Sequence, residues 1–208
     1  MEILYHDNEI SVAVKPSGVL SEGSIDEKDT MPCLLAEALR ELGAEVSAIY
    51  PVHRLDRETD GLMVYALTER AAAELCRTVA DRKMQKRYLA TVHGMPDPAV
   101  GQMRDLLYYD RSKSKSYVVK RPRKGVKEAL LCYETLEHDE KSDVSRVLVS
   151  LQTGRTHQIR VQFASRKLPL VGDRKYGAPQ GDPKELALTS VYLSFPHPKT
   201  GLPMEFDI

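Results

Sequence analysis

The densest group of chemically capable side chains lies in Pro51-Val52-His53-Arg54-Leu55-Asp56-Arg57-Glu58-Thr59-Asp60-Gly61. Six of the eight residues from His53 to Asp60 are ionisable, and both signs are present. Such a cluster is costly to bury, so it belongs on a loop. Pro51 and Gly61 restrain the backbone at its two ends, and the apolar stretch LMVYA follows. A polar loop feeding a buried strand is a common address for catalytic groups on a rigid scaffold. A solvated surface loop is the plainer alternative. If the loop is catalytic, Asp56 with Glu58 or Asp60 offers the pair of carboxylates that a hydrolytic glycosidic-bond cleaver uses.

A second segment, Leu151-Gln152-Thr153-Gly154-Arg155-Thr156-His157-Gln158-Ile159-Arg160, stops a strand at Gly154 and starts a helix with Thr156 as its cap. Free amides at a helix start attract anions, and Arg155 and Arg160 add formal charge. A plain cap accounts for the same residues without any function. Lys86-Arg87-Tyr88 opens a strand, where a tyrosine is ordinarily a strand residue with its hydroxyl in water. Lys15-Pro16-Ser17-Gly18 is, by itself, a turn. The patterns G-x-x-x-x-G-K-S/T, G-x-G-x-x-G, H-E-x-x-H and G-x-S-x-G do not occur. Nothing therefore points to nucleotide hydrolysis, dinucleotide binding, zinc proteolysis or a serine hydrolase.

These segments need elements to hold them. Residues 3–16 read as two short strands around His6-Asp7-Asn8. A helix is expected over 32–42, with Asp29 or Thr30 as cap, Pro32 in the first turn, Leu35, Leu39 and Leu42 on one face, and Gly43 closing it. Residues 62–68 form an apolar strand. Thr68 then caps a helix on which Ala71, Leu75 and Val79 recur at helical spacing. Strands follow at 88–94, 116–120, 129–137, 145–154, 188–195 and 204–207, with a helix from Thr156 to about Ser165. Strands outnumber helices and do not alternate with them regularly. That predicts an α+β fold with a mixed, mostly antiparallel central sheet, helices and loops flanking an active-site cleft, in one domain over 1–208.

Composition narrows the class. The chain has 208 residues, is 42% hydrophobic and carries 30 basic against 30 acidic residues. It can bury a core, which excludes a disordered protein. No apolar run is long enough for a membrane span, and no secretory signal is visible. The cysteines, Cys33, Cys76 and Cys132, are odd in number and far apart. That argues against a disulfide framework or a zinc site and for the cytoplasm. The zero net charge conceals an uneven distribution. Residues 1–50 hold three basic and ten acidic residues, and residues 51–127 hold seventeen basic and nine acidic. The densest stretch, 111–127, has eight Lys or Arg and no acid. It reads either as a solvated hairpin with a lysine-rich edge or as a surface that tracks phosphates.

Taken in order, the segments resemble the RluA-type pseudouridine synthases. The resemblance rests on Lys15-Pro16-x-Gly18, His53-Arg54-Leu55-Asp56-x-x-Thr59-x-Gly61, Lys86-x-Tyr88, Gly154-Arg155-Thr156-His157-Gln158-Ile159-Arg160 and Val171-Gly172-Asp173-x-x-Tyr176-Gly177. It spans about Ile3 to Phe206. Asp60 departs from it, standing where the family usually has serine. An N-terminal RNA-binding module of the S4 type, carried by many relatives, is not expected here. The resemblance implies isomerisation of a uridine in RNA to pseudouridine, with no cofactor and no metal. It assigns the essential carboxylate to Asp56, acting as nucleophile or as base, with Arg160 as the cation that holds it charged. Tyr88 would stack on the target base and move a proton at C5. Arg54 would fill the gap left by a flipped-out uridine, with His53 and Arg57 on the RNA backbone. Further RNA contacts are expected from Lys15, Arg155, Lys113, Lys115, Arg121 and Arg123. Leu55 should point inward. The partner would be a structured ribosomal or transfer RNA stem-loop, bound by a monomer with no membrane and no obligate protein partner. The competing readings are a non-catalytic RNA-binding protein that keeps the fold, a hydrolytic cleaver that releases free uracil, and a bare structural module.

Overall fold

The computed structural model describes all of residues 1–208. In chain order the elements are β1 (Ile3–His6), β2 (Ile10–Lys15), α1 (Met31–Glu41), β3 (Tyr50–Pro51), β4 (Asp60–Ala66), α2 (Glu69–Ala80), β5 (Gln85–His93), β6 (Val100–Asp110), β7 (Lys115–Val119), β8 (Val126–Asp139), β9 (Val144–Leu151), α3 (Gln158–Ala164), a 3-10 turn (Arg174–Tyr176), β10 (Leu188–Pro196) and β11 (Pro203–Asp207). The chain divides into two compact units. One comprises Met1–Lys86 with Thr189–Ile208, the other Arg87–Leu188. Charge divides with them. The first unit holds eleven basic and eighteen acidic residues, a net of −7, and the second holds nineteen and twelve, a net of +7.

In the first unit β2 pairs antiparallel with β1 and β4, β3 adds antiparallel to β4, and β10 runs parallel to β4 and antiparallel to β11. Buried on both faces, β4 exposes no side chain from Gly61 to Ala66 beyond the buried class, as its unbroken apolar run requires. Helix α2 starts where Thr68 accepts a bond from the Ala71 amide (3.1 Å). It turns Ala71 and Leu75 into a core with Ile10, Val12, Leu62, Val64, Leu193 and Phe195. Full burial of one such leucine or isoleucine is worth roughly 1.5–3 kcal/mol. Helix α1 is capped by Thr30, one of the two candidates, and closes at Gly43. There the Ala44 amide reaches back to Leu39 O (3.0 Å) across a left-handed residue (φ 83°).

The second unit is an antiparallel sheet in the order β5-β9-β8-β6-β7, with α3 packed on β6 and β7. Leu107, Ala129, Val161 and Tyr176 form a buried cluster there. The fold is α+β with a mixed, mostly antiparallel sheet. Besides Leu42, which lies past the end of α1 and is 60% exposed, two local expectations fail. Thr156 does not cap α3: the cap position falls to His157, in the left-handed region (φ 54°) with no side-chain cap bond. The reason is tertiary, because Thr156 O is taken by Ser116 Oγ (2.6 Å) and His157 Nδ1 meets the Tyr176 hydroxyl (2.9 Å). With one seven-residue helix behind it, this end offers no helix-dipole site for an anion. The second miss is β6, which sequence pattern left unassigned. No helix is long and apolar enough to cross a membrane, and all three cysteines are free thiols.

Candidate active site

Asp56 sits half-buried on the loop between β3 and β4. The loop backbone is fastened by the turn after β2, which the sequence alone shows only as an ordinary turn. Lys15 is fully buried, and its Nζ donates to Pro16 O (2.9 Å), Val19 O (2.8 Å) and Arg57 O (3.0 Å). The Gly18 amide donates to the same Arg57 carbonyl (2.8 Å), and Arg57 Nε returns a bond to Gly18 O (2.8 Å). Ser17 Oγ donates to Glu58 O (2.9 Å). Ser21 Oγ donates to Leu55 O (2.8 Å) and accepts from the Leu55 amide (3.0 Å), while Tyr65 OH fixes Ser21 O (3.0 Å). The Thr59 amide closes a turn onto Asp56 O (3.0 Å). Every residue from Leu55 to Glu58 thus has its backbone carbonyl tied, and Leu55 points inward at 4% exposure. Gly61 ends the loop at φ 103°, where a Cβ would overlap the Ser190 backbone of the parallel neighbour β10.

The charged residues of this loop have distinct tasks. Lys15 spends all three ammonium donors on carbonyls, so its role is to position the loop. Burial lowers its pKa to about 8, against the opposing pull of Asp60, Glu58 and Asp56. Lys15→Met is expected to lower stability by about 2–3 kcal/mol, because buried acceptors lose a charged donor. It should also cut kcat while leaving KM nearly unchanged, as read by denaturant melts and steady-state kinetics. His53 Nε2 accepts from the Val64 amide (3.2 Å), extending the β3–β4 pairing by one rung. Burial, aided by the charge of Lys86, holds its pKa well below the usual histidine value. The ring is therefore neutral at pH 7, with its proton on Nδ1, and offers no formal charge to an RNA backbone. Arg54 is exposed and reaches Glu22 (3.0 Å).

In the second unit Tyr88 lies on β5 opposite Val149 of β9 and is buried at 5% exposure. Arg160, on α3, forms a fork onto Asp173: Nε to Oδ2 at 2.7 Å and Nη2 to Oδ1 at 2.8 Å, with side-chain exposures of 4% and 0%. Asp173 Oδ1 also accepts from the Tyr176 amide (3.3 Å) and caps the 3-10 turn. The Tyr176 ring lies 5.4 Å from the Arg160 guanidinium carbon, and its hydroxyl takes the Ser116 amide (2.8 Å). Burial raises that hydroxyl's pKa to about 12, so it stays protonated. Asp173 was visible in the sequence only as part of the Val171-Gly172-Asp173-x-x-Tyr176-Gly177 stretch, with no role attached to it. No spacing rule links it to an arginine thirteen residues earlier.

The basic residues of 111–127 are placed unevenly. Lys113 and Arg121 are exposed on the β6–β7 and β7–β8 connections. The Arg123 guanidinium covers the Tyr108 ring (4.5 Å). Lys115 is instead drawn onto Lys175 O and the Tyr176 ring (4.9 Å), and Lys175 Nζ reciprocates onto Ser114 O (3.1 Å). That latch gives Lys115 a structural role. Arg155 is half-buried, with Nε on Glu128 O (2.9 Å).

Comparison with known proteins places these features in one family. A family model described as RNA pseudouridylate synthase matches residues 9–165. The dual-specificity RNA pseudouridine synthase RluA of Escherichia coli K12 is 36% identical over 214 residues, covering 98% of this chain and 90% of that protein. An uncharacterized RNA pseudouridine synthase of Aquifex aeolicus is 36% identical over 220 residues, covering 100% and 69%. Among solved structures, human RNA pseudouridylate synthase domain containing 1 superposes with a TM-score of 0.80 at 26% identity, covering 100% of this chain and 82% of that one. The motif order and these matches agree: the chain belongs to the RluA-type family of RNA pseudouridine synthases, enzymes that isomerise uridine in RNA.

Proposed function

We propose that the protein converts specific uridines of structured ribosomal or transfer RNA to pseudouridine in the cytoplasm, with Asp56 as its essential carboxylate. The observation that carries the assignment is the tethering of the Asp56 loop, whose carbonyls from Leu55 to Glu58 are fixed by Ser21, Thr59, Lys15, Gly18 and Ser17. A carboxylate held on so rigid a loop is preorganised for a reaction at one sugar. In the reaction N1–C1′ breaks, the uracil turns, C5 bonds to C1′, and the proton lost from C5 is balanced by one gained at N1. Asp56 acts on the ribose, either at C1′ or on the C2′ proton. Tyr88 stacks on the uracil and serves proton transfer at C5. Arg160, anchored by Asp173, supplies the positive charge that the reaction calls for. Arg54 fills the stack vacated by the flipped nucleotide, at an unstacking cost of a few kcal/mol. Its exposure and single ion pair to Glu22 suit a side chain that exchanges a protein partner for RNA.

The test is incubation of the purified protein with total RNA from cells lacking the gene. The expected result is pseudouridine at one or a few positions of ribosomal or transfer RNA, with unchanged mass and no released base. Release of free uracil would support a hydrolase instead, and no isomerisation with intact binding would support a non-catalytic RNA-binding protein.

A further inference from the structure

A concavity of about 330 Å³ opens within the second unit. Strand alternation builds it. Leu107 and Tyr109 of β6 point to one face, and across the sheet they pair with Lys127 of β8 and Ser116 of β7. Arg111, from the β6–β7 turn, and the Gly154–Thr156 loop complete the lining. Three cations, Arg111, Lys127 and Arg155, thus face one hollow with no acidic residue among the lining side chains. Charge that only solubilises a surface is normally interspersed with the opposite sign. Three like charges around a hollow are balanced by an anion that enters it.

The wall is rigid. Gln158 Oε1 accepts from the Arg155 amide (3.0 Å) and from Thr153 Oγ1 (2.8 Å). Arg155 Nε is anchored on Glu128 O, and Ser116 Oγ on Thr156 O. These bonds hold the Arg155 side chain by its Nε edge. The Tyr109 ring, 37% exposed, stands perpendicular to His157 at 6.3 Å between centroids, which fixes its plane. The volume is at the low end for small-molecule sites, enough for one nucleotide unit and too small for a duplex. An exposed aromatic beside cations, one of them anchored, is the usual equipment for an unstacked base and its phosphate. Tyr88 and Arg160 are not among the lining residues, so the hollow is separate from the groups assigned to the reacting base.

We propose that this concavity is a second nucleotide subsite, in which Arg111, Lys127 and Arg155 grip one phosphodiester of the RNA strand and Tyr109 stacks the unpaired base beside it. The inference rests on the RNA-modifying function and adds a point of recognition outside the reacting uridine. It draws on three of the nineteen basic residues of a unit whose net charge is +7 although the whole chain is neutral.

The experiment is fluorescence anisotropy of the full-length protein with a short labelled oligouridylate at several salt concentrations. The paired change Arg111→Gln with Lys127→Gln is expected to reduce the slope of log affinity against log salt by about 0.7, the loss of one single-strand phosphate contact. Tyr109→Ala should weaken binding about 5- to 150-fold, the range for loss of one base stack, with the slope unchanged. Tyr109→Phe should bind as wild type, which separates stacking from misfolding. An unchanged slope in the paired variant, or unchanged affinity in Tyr109→Ala, overturns the subsite. So does inorganic phosphate competing as well as uridine 5′-monophosphate, which would mark a bare anion site. Isomerisation of total RNA is measured in parallel. Wild-type turnover with pocket variants that bind normally removes the subsite alone. Absent wild-type turnover with pocket variants that lose binding removes the enzymatic reading alone.

Discussion

Asp56→Asn is expected to abolish pseudouridine formation while leaving RNA affinity within about threefold of wild type, a change under about 0.7 kcal/mol. The substitution keeps the shape of the side chain. It leaves the backbone turn closed by the Thr59 amide on Asp56 O, and the Lys15, Ser17 and Ser21 tethers of the loop do not involve the carboxylate. The fold of the loop should therefore survive, and the loss falls on chemistry. The size of the loss discriminates between roles. A general base is worth about 10²–10⁴ in rate, whereas loss of a covalent nucleophile costs about 10⁶ where it has been measured in a hydrolase. Single-turnover assays at saturating protein read the chemical step directly. A residual rate near 10⁻³ of wild type fits removal of the C2′ proton, and a rate at the detection limit fits attack at C1′. Near-wild-type turnover would remove Asp56 from the site. Removal of one negative charge from a surface that meets a polyanion gives affinity no reason to fall. A large loss of binding would mean that the residue holds the loop rather than the chemistry.

The parts legible in the sequence are those in which local pattern and tertiary environment agree. Pro51 and Gly61 bracket the aspartate loop, and LMVYA could only be a strand buried on both faces. Thr68 and Thr30 cap their helices because each hydroxyl gives its proton to another acceptor, Glu9 Oε2 and Glu27 O, and keeps a lone pair for its helix's amide. Thr156 has the same residue type and fails, since Ser116 and Tyr176, forty and twenty residues away, reorganise the backbone at His157. The strand at 100–110 is hidden for a different reason. Only Met103 and Leu107 of VGQMRDLLYYD are buried, and Asp105, between them on the same strand face, is charged, so the sequence shows no clean apolar alternation. Lys15 and Lys115 show how charge misleads. By type both are phosphate contacts, yet Lys15 spends its ammonium on the carbonyls of Pro16, Val19 and Arg57, and Lys115 turns its own onto Lys175 O and the Tyr176 ring. Composition cannot distinguish a lysine facing RNA from one that fastens two loops.

The same limit applied to Asp173 yields the largest expected effect on stability. Its carboxylate and the Arg160 guanidinium are both withdrawn from water, and each is tolerated because the other is present. Asp173→Asn keeps the volume and an oxygen for the Tyr176 amide. It sets an amide NH₂ against an arginine N–H and takes from the buried guanidinium the carboxylate that grips it on two sides. The expected cost is about 3–5 kcal/mol, which for a chain of this length lowers the melting temperature by roughly 6–20 °C. Turnover should fall with it even where the protein remains folded, because Arg160 loses the fork that aims it. Asp173 touches neither base nor ribose in the proposed mechanism, so its effect should appear in kcat more than in KM. A double-mutant cycle isolates the pair. Arg160→Met alone strands a buried carboxylate, whereas Arg160→Met with Asp173→Leu removes both charges and should recover much of the lost stability without recovering activity. Strictly additive losses in melting would mean that the two side chains do not depend on each other. The separation of stability from turnover in the double variant distinguishes the two possible purposes of the ion pair. If it served the fold alone, an apolar pair of similar volume would do as well in every assay. If it serves to hold a cation for the reaction, stability returns and chemistry does not.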